Sequence, residues 1–235
     1  MRVALLEDGR IDAEVLMNCL THAGHTVHLF TNGTDLTTEL RHESFDILIL
    51  DLNTPGMNGL QVLQWVKGQS NLQALPILFV TAEERESNVV EALTHGADDY
   101  LVKPIRCAEF LARIQVAVRR TSSCANPTRN ALHVEGWDFD PHSKRAHFQN
   151  SEILLSSKEF DLAYFLFSNL GRLLSRGHLL ECVWGMSVSV PTRTVDTHIS
   201  KVRTQCHLFP ENGVRLVSIY GYGYRLELTQ HKEAN

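Results

Sequence analysis

Residues Leu48 to Gly59 read LILDLNTPGMNG: an apolar run that starts at Ile47 stops on Asp51, and a turn rich in Pro, Gly and Asn follows. A strand apolar on both faces needs cover on both sides, as in a parallel sheet with helices above and below. The question is why a carboxylate ends it.

Working outward, Val3-Leu6, Thr26-Phe30, Ile77-Val80 and Tyr100-Val102 are further short apolar runs, and helical spacing appears at Ile11–Ala23, Leu60–Lys67, Asn88–His95 and Ala108–Arg120. This is a β-α unit repeated five times. The expected fold is α/β, a five-stranded parallel doubly wound sheet; if its order is 2-1-3-4-5, strands one and three are neighbours where the order reverses. In such a sheet the carboxyl ends of the strands share one rim, and ligands bind where the strand order reverses. Glu7 and Asp8 end the first strand, Asp51 the third, Thr81 follows the fourth and Lys103 the fifth. Crowded carboxylates raise one another's pKa, and a hard divalent cation, Mg²⁺, relieves them. Taken singly, Glu7 and Asp8 also fit a helix-capping pair and Asp51 a turn former. Taken together with a hydroxyl and an ammonium, they fit phosphoryl chemistry on a carboxylate nucleophile.

Past Arg119-Arg120 the grammar changes. Residues 121–130, TSSCANPTRN, are polar and without period, and the expected division is domain 1–120, linker 121–130, domain 131–235. Leu132 to Leu154 alternates briefly between turn signals, as a small antiparallel sheet does. Ser156-Ser157-Lys158-Glu159 fits a capping box for a helix closed by Gly171; Ser175 caps a second, Arg176 to Trp184, ended by Gly185; a third begins after Pro191. The hairpin Leu216 to Leu226 completes a winged-helix order, an α+β domain. In the third helix Val195, Ile199 and Val202 form one apolar stripe. The opposite face collects Arg193, Thr197, Ser200, Lys201 and Thr204, flanked by His198 and Arg203. Such a face suits a DNA major groove, although periodicity alone fits a solvated helix as well.

The 235 residues are 43% hydrophobic and 21% charged, which excludes a disordered or fibrous chain. No run of 18 apolar residues occurs, so no membrane span or signal peptide is expected and the cytoplasm is the expected location. Residues 1–120 carry 10 Lys+Arg against 16 Asp+Glu, residues 121–235 carry 12 against 11. An acidic half joined to a slightly basic one suggests two different partners. The five cysteines, Cys19, Cys107, Cys124, Cys182 and Cys206, are dispersed and never in a Cys-x-x-Cys pair, so they are expected to be reduced and to form neither a disulfide framework nor a zinc site.

With LLED, DLNTPGMNG, Thr81-Ala82 and GADDYLVKP in register, residues 1–120 resemble the receiver domain of bacterial two-component systems. Residues 131–228, through LSSKEFDLAYFL, GRLLSRGHLLECVWG, RTVDTHISKVR and VSIYGYGYRL, resemble the winged-helix effector of the OmpR/PhoB type. The resemblance implies a transcriptional response regulator in which Asp51 takes a phosphoryl group from a sensor histidine kinase. It implies Mg²⁺ held by Glu7 (through water), Asp8, Asp51 and the Asn53 carbonyl, phosphoryl contacts from Thr81 and Lys103, an inward-swinging Tyr100 and a cis Lys103-Pro104 bond. It implies a homodimer through Asp98, Asp99, Glu109, Arg113 and Arg120, promoter half-sites read by Arg193, Thr197, His198, Ser200, Lys201 and Arg203, and RNA polymerase at the Gly185–Pro191 loop. Arg176 and Trp184 become candidates for backbone contacts.

Five positions depart from the family pattern: Asn53, where a hydrophobic residue or Met is usual; Asn58 for Asp; Ile105 for Phe; Val89 for a cation on the fourth helix; and Tyr220 for the wing arginine. Arg215 is the expected substitute cation in the wing. Two other readings stand beside this one. DLNT distantly resembles the nucleophile motif of haloacid-dehalogenase phosphatases, with Asn53 where their general acid would be. A receiver-like module that works without phosphorylation is the other.

Overall fold

The period of two within each strand sorts the side chains of the first half onto two faces. The computed structural model describes residues 1–83, 85–121, 131–185 and 193–229, and the chain divides into two compact units, Met1–Ala125 and Asn126–Asn235. In the first unit, β1 (Arg2–Leu6), β2 (Thr26–Phe30), β3 (Ile47–Leu50), β4 (Ile77–Thr81) and β5 (Asp99–Val102) form a parallel sheet of order β2-β1-β3-β4-β5. Between and after them run α1 (Arg10–His22), α2 (Gly33–Glu39), α3 (Gly59–Lys67), α4 (Glu86–Thr94) and α5 (Cys107–Thr121).

Ala4, Leu6, Leu48, Leu50, Ile77 and Phe79 point to one face and pack with Leu36 of α2, Val62, Leu63 and Val66 of α3 and Ala92 of α4. Their neighbours Val3, Leu5, Ile47, Ile49, Leu78 and Val80 point to the other and pack with Leu16 and Leu20 of α1 and Phe110, Ile114 and Ala117 of α5. Burial of both faces explains the unbroken apolar runs. The register pairs Leu6 with Leu50, so the next residue of each strand, Glu7 and Asp51, emerges side by side. Asn58 closes the turn after Asp51 as the N-cap of α3, in a reciprocal capping box with Gln61.

The face shared by α1 and α5 corrects the expectation that all cysteines are reduced. Cys19 of α1 and Cys107, the first residue of α5, are joined by a disulfide with their Cα atoms 5.6 Å apart. The two lie 88 residues apart in sequence. Spacing along the chain carries no information about such a pair; the packing of two helices on one side of the sheet creates it. Among the described residues Cys206, buried, and Cys182, exposed, are in no disulfide, and Cys124 lies outside the described residues.

In the second unit β6 (Leu132–Val134), β7 (Trp137–Asp140), β8 (Arg145–Phe148) and β9 (Ser151–Ile153) form an antiparallel meander. Helix α6 (Ser157–Ser168) opens with the Ser156/Glu159 capping box. It ends at Ser168 and not at Gly171: the Asn169 side chain donates to the Phe165 carbonyl, and Gly171, at φ +76°, serves the following turn, its N–H bonded to Leu226 O at 2.7 Å. Ser175, in the two-residue strand β10 (Leu174–Ser175), caps α7 (Arg176–Leu179), which continues as a π-helical turn over Leu180–Trp184 and stops at Gly185, φ +67°. After it come α8 (Arg193–Gln205), β11 (Val214–Ile219) and β12 (Gly223–Leu228), the last two forming a hairpin with β10 on its edge. Trp137, fully buried, donates its indole N–H to the Cys206 carbonyl just after α8 at 2.7 Å, tying the meander to the helices. Residues 122–130 and 186–192, which contain most of the expected linker and polymerase loop, lie outside the described residues.

Gly59 is where the fold and the Asp51 strand meet most closely. A Cβ there would lie 2.2 Å from the Asp51 carbonyl oxygen and 3.0 Å from the Phe79 ring. Gly59→Ala is therefore expected to destabilise the first unit by about 2 kcal/mol through overpacking. Urea unfolding checks this, and an unchanged midpoint would contradict so close an approach.

Candidate functional site

Parallel pairing of β1 with β3 brings two carboxylates to the rim, and β5 brings the cation that holds them. Lys103 Nζ donates to Glu7 Oε2 and to Asp51 Oδ2, each at 2.7 Å, and lies 2.9 Å from Asp12 Oδ2. An ammonium has three N–H donors, and here all three find a carboxylate. Glu7 is 2% exposed and Asp51 7%. The second oxygen of each is also engaged: Glu7 Oε1 accepts from the Gly9 N–H at 3.0 Å and Asp51 Oδ1 from the Asn53 N–H at 3.2 Å.

Burial pushes the Glu7 carboxyl above its ordinary range; Lys103 pulls against this and the Asp51 charge adds to it. For Lys103, burial favours the neutral amine, but its bonds to Asp51, Glu7 and Asp12 outweigh that and hold the ammonium above the usual lysine range. Three carboxylates against one ammonium leave the rim with excess negative charge, and Asp8 is exposed beside them. All the donors are oxygens. The residues present thus fit a hard divalent cation. Asp12, in the first turn of α1, was not among the residues read from the sequence; its signal was an acid in the opening turn of a helix that starts at the rim.

Thr81, at the end of β4, is fully buried, and its hydroxyl accepts the Glu83 N–H at 3.3 Å. Tyr100 is 9% exposed, its ring stacked 6.1 Å from Phe79, and its hydroxyl donates to the Glu83 carbonyl at 2.7 Å. Both polar groups of the Glu83 main chain are therefore held by rim residues. Burial first, then the charges of Glu83 and Asp51, raise the Tyr100 phenol. The Lys103-Pro104 peptide is cis.

The charged set on β5 and α5 is largely engaged within the chain. Asp98 accepts the Ile77 N–H at 2.8 Å at the start of β4, and Arg113 bridges Asp99 at 2.9 Å and Glu109 at 2.8 Å. Glu109, without a cation at Val89, thus finds one a helical turn away. The Arg120 side chain lies outside the described ones. On α4, Val90 and Leu93 are exposed.

In the second unit Val195, Ile199 and Val202 are buried as their spacing requires, and Arg193, Thr197, Ser200 and Lys201 are exposed. Three tethers orient α8. Arg176 Nε donates to Asp196 Oδ1 at 2.9 Å over the Tyr224 ring, and the Tyr224 hydroxyl donates to the same oxygen at 2.6 Å. Arg203 donates to the Leu216 carbonyl at 3.2 Å and lies 3.3 Å from the Ser218 hydroxyl, so it braces the hairpin. Lys201 lies 3.4 Å from the buried Glu159 of the α6 capping box. His198 packs edge-on against Trp184, ring centres 5.1 Å apart. Tyr220 is fully exposed at the hairpin tip. Arg215 faces Glu227 across the strands and pairs with it at 3.0 Å. It stands four residues from Ile219, about 13 Å along the strand from the tip, which places it at the other end of the wing from the missing arginine.

Removing the central cation tests the rim. Lys103→Met is expected to lower stability at pH 7 by at least ~2 kcal/mol, because buried carboxylates lose their partner. Glu7, already held above its ordinary range by burial, then loses the cation that opposes this, so the native state binds more protons than the unfolded one, and stability falls as pH rises and recovers as pH is lowered toward about 5. Millimolar Mg²⁺ should also restore it. Thermal melts at the two pH values, with and without Mg²⁺, check both; a variant as stable as the parent at pH 7 would show that the ammonium is not needed.

Residues 3–115 match the family described as response regulator receiver domain, and residues 150–226 the family described as transcriptional regulatory protein, C terminal. Over 228 residues the chain is 34% identical to sensory transduction protein RegX3 of Mycobacterium tuberculosis, covering 96% of this chain and 98% of that protein. It is 33% identical over 226 residues to the phosphate regulon transcriptional regulatory protein PhoB of Rhizobium meliloti, with 96% and 98% covered. The crystal structure of the Thermotoga maritima response regulator DrrB, an OmpR/PhoB homologue, is 24% identical, covers 97% of this chain and 99% of its own, and superposes with a TM-score of 0.46. The chain belongs to the two-component response regulators of the OmpR/PhoB type, transcriptional regulators that join a receiver domain to a winged-helix DNA-binding domain.

Proposed function

We propose that Asp51 accepts a phosphoryl group from a sensor histidine kinase, and that this favours a homodimer presenting two α8 helices to adjacent half-sites of promoter DNA. The observation that carries the reading is the Lys103 ammonium shared by Glu7 and Asp51 at 2.7 Å. It sets a buried carboxylate, the nucleophile of the proposed transfer, beside a cation suited to incoming phosphoryl oxygens. An Asp51 oxygen attacks phosphorus as the bond to the kinase's histidine nitrogen breaks; Lys103 then follows the charge from the carboxylate to the phosphoryl group. Asp8, Asp51 and the Asn53 carbonyl, with Glu7 through water, would hold Mg²⁺, which supplies charge neutralisation when bound.

Thr81 reaches the phosphoryl group by giving up the Glu83 amide, and Tyr100 holds the other side of that residue; the pair links the modification to the β4–α4 turn. The receiver assists only its own phosphorylation and dephosphorylation, and the protein works in the cytoplasm. Among the described residues no helix is long and apolar enough to cross a membrane. Asp98, Asp99, Glu109 and Arg113 line the dimer face, where Val90 and Leu93 add apolar area. On α8, Arg193, Thr197, His198, Ser200 and Lys201 meet the major groove, Arg203 supports the wing, and RNA polymerase is a further partner.

Incubation with Mg²⁺ and acetyl phosphate should place one hydroxylamine-labile phosphoryl group per chain, lost in Asp51→Ala. Continuous phosphate release would favour the phosphatase reading, and no incorporation the phosphorylation-independent one. At the wing, Tyr220→Arg is expected to raise affinity for sites with a narrow A·T minor groove about tenfold over G·C-substituted ones. Binding titrations on the two site types check this; identical affinities for parent and variant would mean that the tip does not touch DNA.

A further inference from the structure

The disulfide between Cys19 and Cys107 is out of place in a protein that acts on DNA, since thiols in that compartment are held reduced and disulfides there are transient or redox-sensing. Its two sulfurs are also unlike one another. Cys107 is exposed and is the first residue of α5. Cys19 is 7% exposed behind it on α1. Both line an open cleft of about 480 Å³ with Val15, Asn18, His22 and Leu111, wide enough for a small disulfide to reach Cys107 first.

The position relative to the rim gives the pair a consequence. Cys107 follows Lys103 by four residues, and α1 carries Asp12, which Lys103 also bonds at 2.9 Å. When the sulfurs are joined, the turn that carries the rim ammonium is fastened to α1 twice, once by charge and once covalently.

We propose that Cys19 and Cys107 are a reversible dithiol–disulfide site, oxidised by low-molecular-weight disulfides, which restrains the Lys103 turn and slows phosphoryl acceptance at Asp51. This second clause rests on the phosphorylation reading above. The Cys107 thiolate attacks one sulfur of the small disulfide and releases the other as a thiolate. The Cys19 thiolate then attacks the Cys107 sulfur, forming the protein disulfide and expelling the second small thiolate. The two cysteines lose two electrons and two protons; the small disulfide gains the electrons and leaves as two thiols. Thiol reduction reverses both steps. Restraint slows phosphorylation because Lys103 must release Asp51 and turn toward the arriving group.

The test uses the full chain equilibrated in mixtures of reduced and oxidised glutathione, then denatured and alkylated. The reduced chain should take five alkyl groups and the oxidised chain three, with the loss confined to Cys19 and Cys107. Cys107→Ser should show no such loss, and Cys19→Ala should retain one glutathione per chain as the trapped mixed disulfide. In parallel, uptake from acetyl phosphate should be slower by about threefold or more in the oxidised parent and insensitive to glutathione in Cys107→Ser. Five alkyl groups at every glutathione ratio would overturn the site, and equal uptake in the two redox states would overturn its effect on the rim. A reduced protein that takes no phosphoryl group would instead refute the assignment of Asp51, while the thiol count still decides the cysteine pair.

Discussion

Two carboxylates emerge from neighbouring strands at the same level, and both are buried; the rest of the first unit is arranged around that fact. Like charges about 5 Å apart repel by roughly 3 kcal/mol even at an effective dielectric constant of 20. The sheet tolerates them because β5, two strands away from β3, ends in Lys103 and sends its ammonium back across the rim to both. That requirement explains why the rim draws on both ends of the unit, from the first strand to the last. The cation bonded to Asp51 is also the group for which a phosphoryl dianion there would compete.

The second unit shows the opposite strategy. The polar face of α8 is exposed, and contacts from neighbouring elements hold the helix in place. Asp196 on α8 is gripped by Arg176 and Tyr224, Arg203 fastens the helix to β11, and Lys201 leans on the α6 capping box. With Arg203 engaged on β11, the exposed face of α8 is less basic than its sequence suggests, and hydroxyls from Thr197 and Ser200 form much of it.

What the sequence disclosed and what it hid follow from the range of the interaction. The strand runs, the Ser156 capping box, the Ser175 cap and the stripe of Val195, Ile199 and Val202 are local patterns, and each is present. The rim acids and Lys103 were legible because strand ends are ordered by topology. Asp12, the Cys19–Cys107 bond and the engagement of Arg203 and Arg215 were not, because each depends on which surfaces meet across tens of residues. Gly171 illustrates a nearer limit: a glycine in the left-handed region marks a turn, but Asn169 had already ended the helix by folding its amide back on Phe165.

β5 connects the two faces of the sheet at the rim. Its alternation sends Tyr100 and Val102 toward the face of α3 and α4, and Leu101 toward the face of α1 and α5. Tyr100 holds the Glu83 carbonyl before α4, while Lys103, just past the strand, holds Asp12 on α1. A shift of β5 along its own axis therefore cannot be absorbed on one side. On the proposed function, drawing Lys103 toward a new anion at Asp51 would pull on α1 through Asp12 and Cys107, and on the β4–α4 turn through Tyr100 and Thr81. A four-residue strand at the sheet edge thus has contacts that lead from one buried carboxylate to both outer faces of the unit.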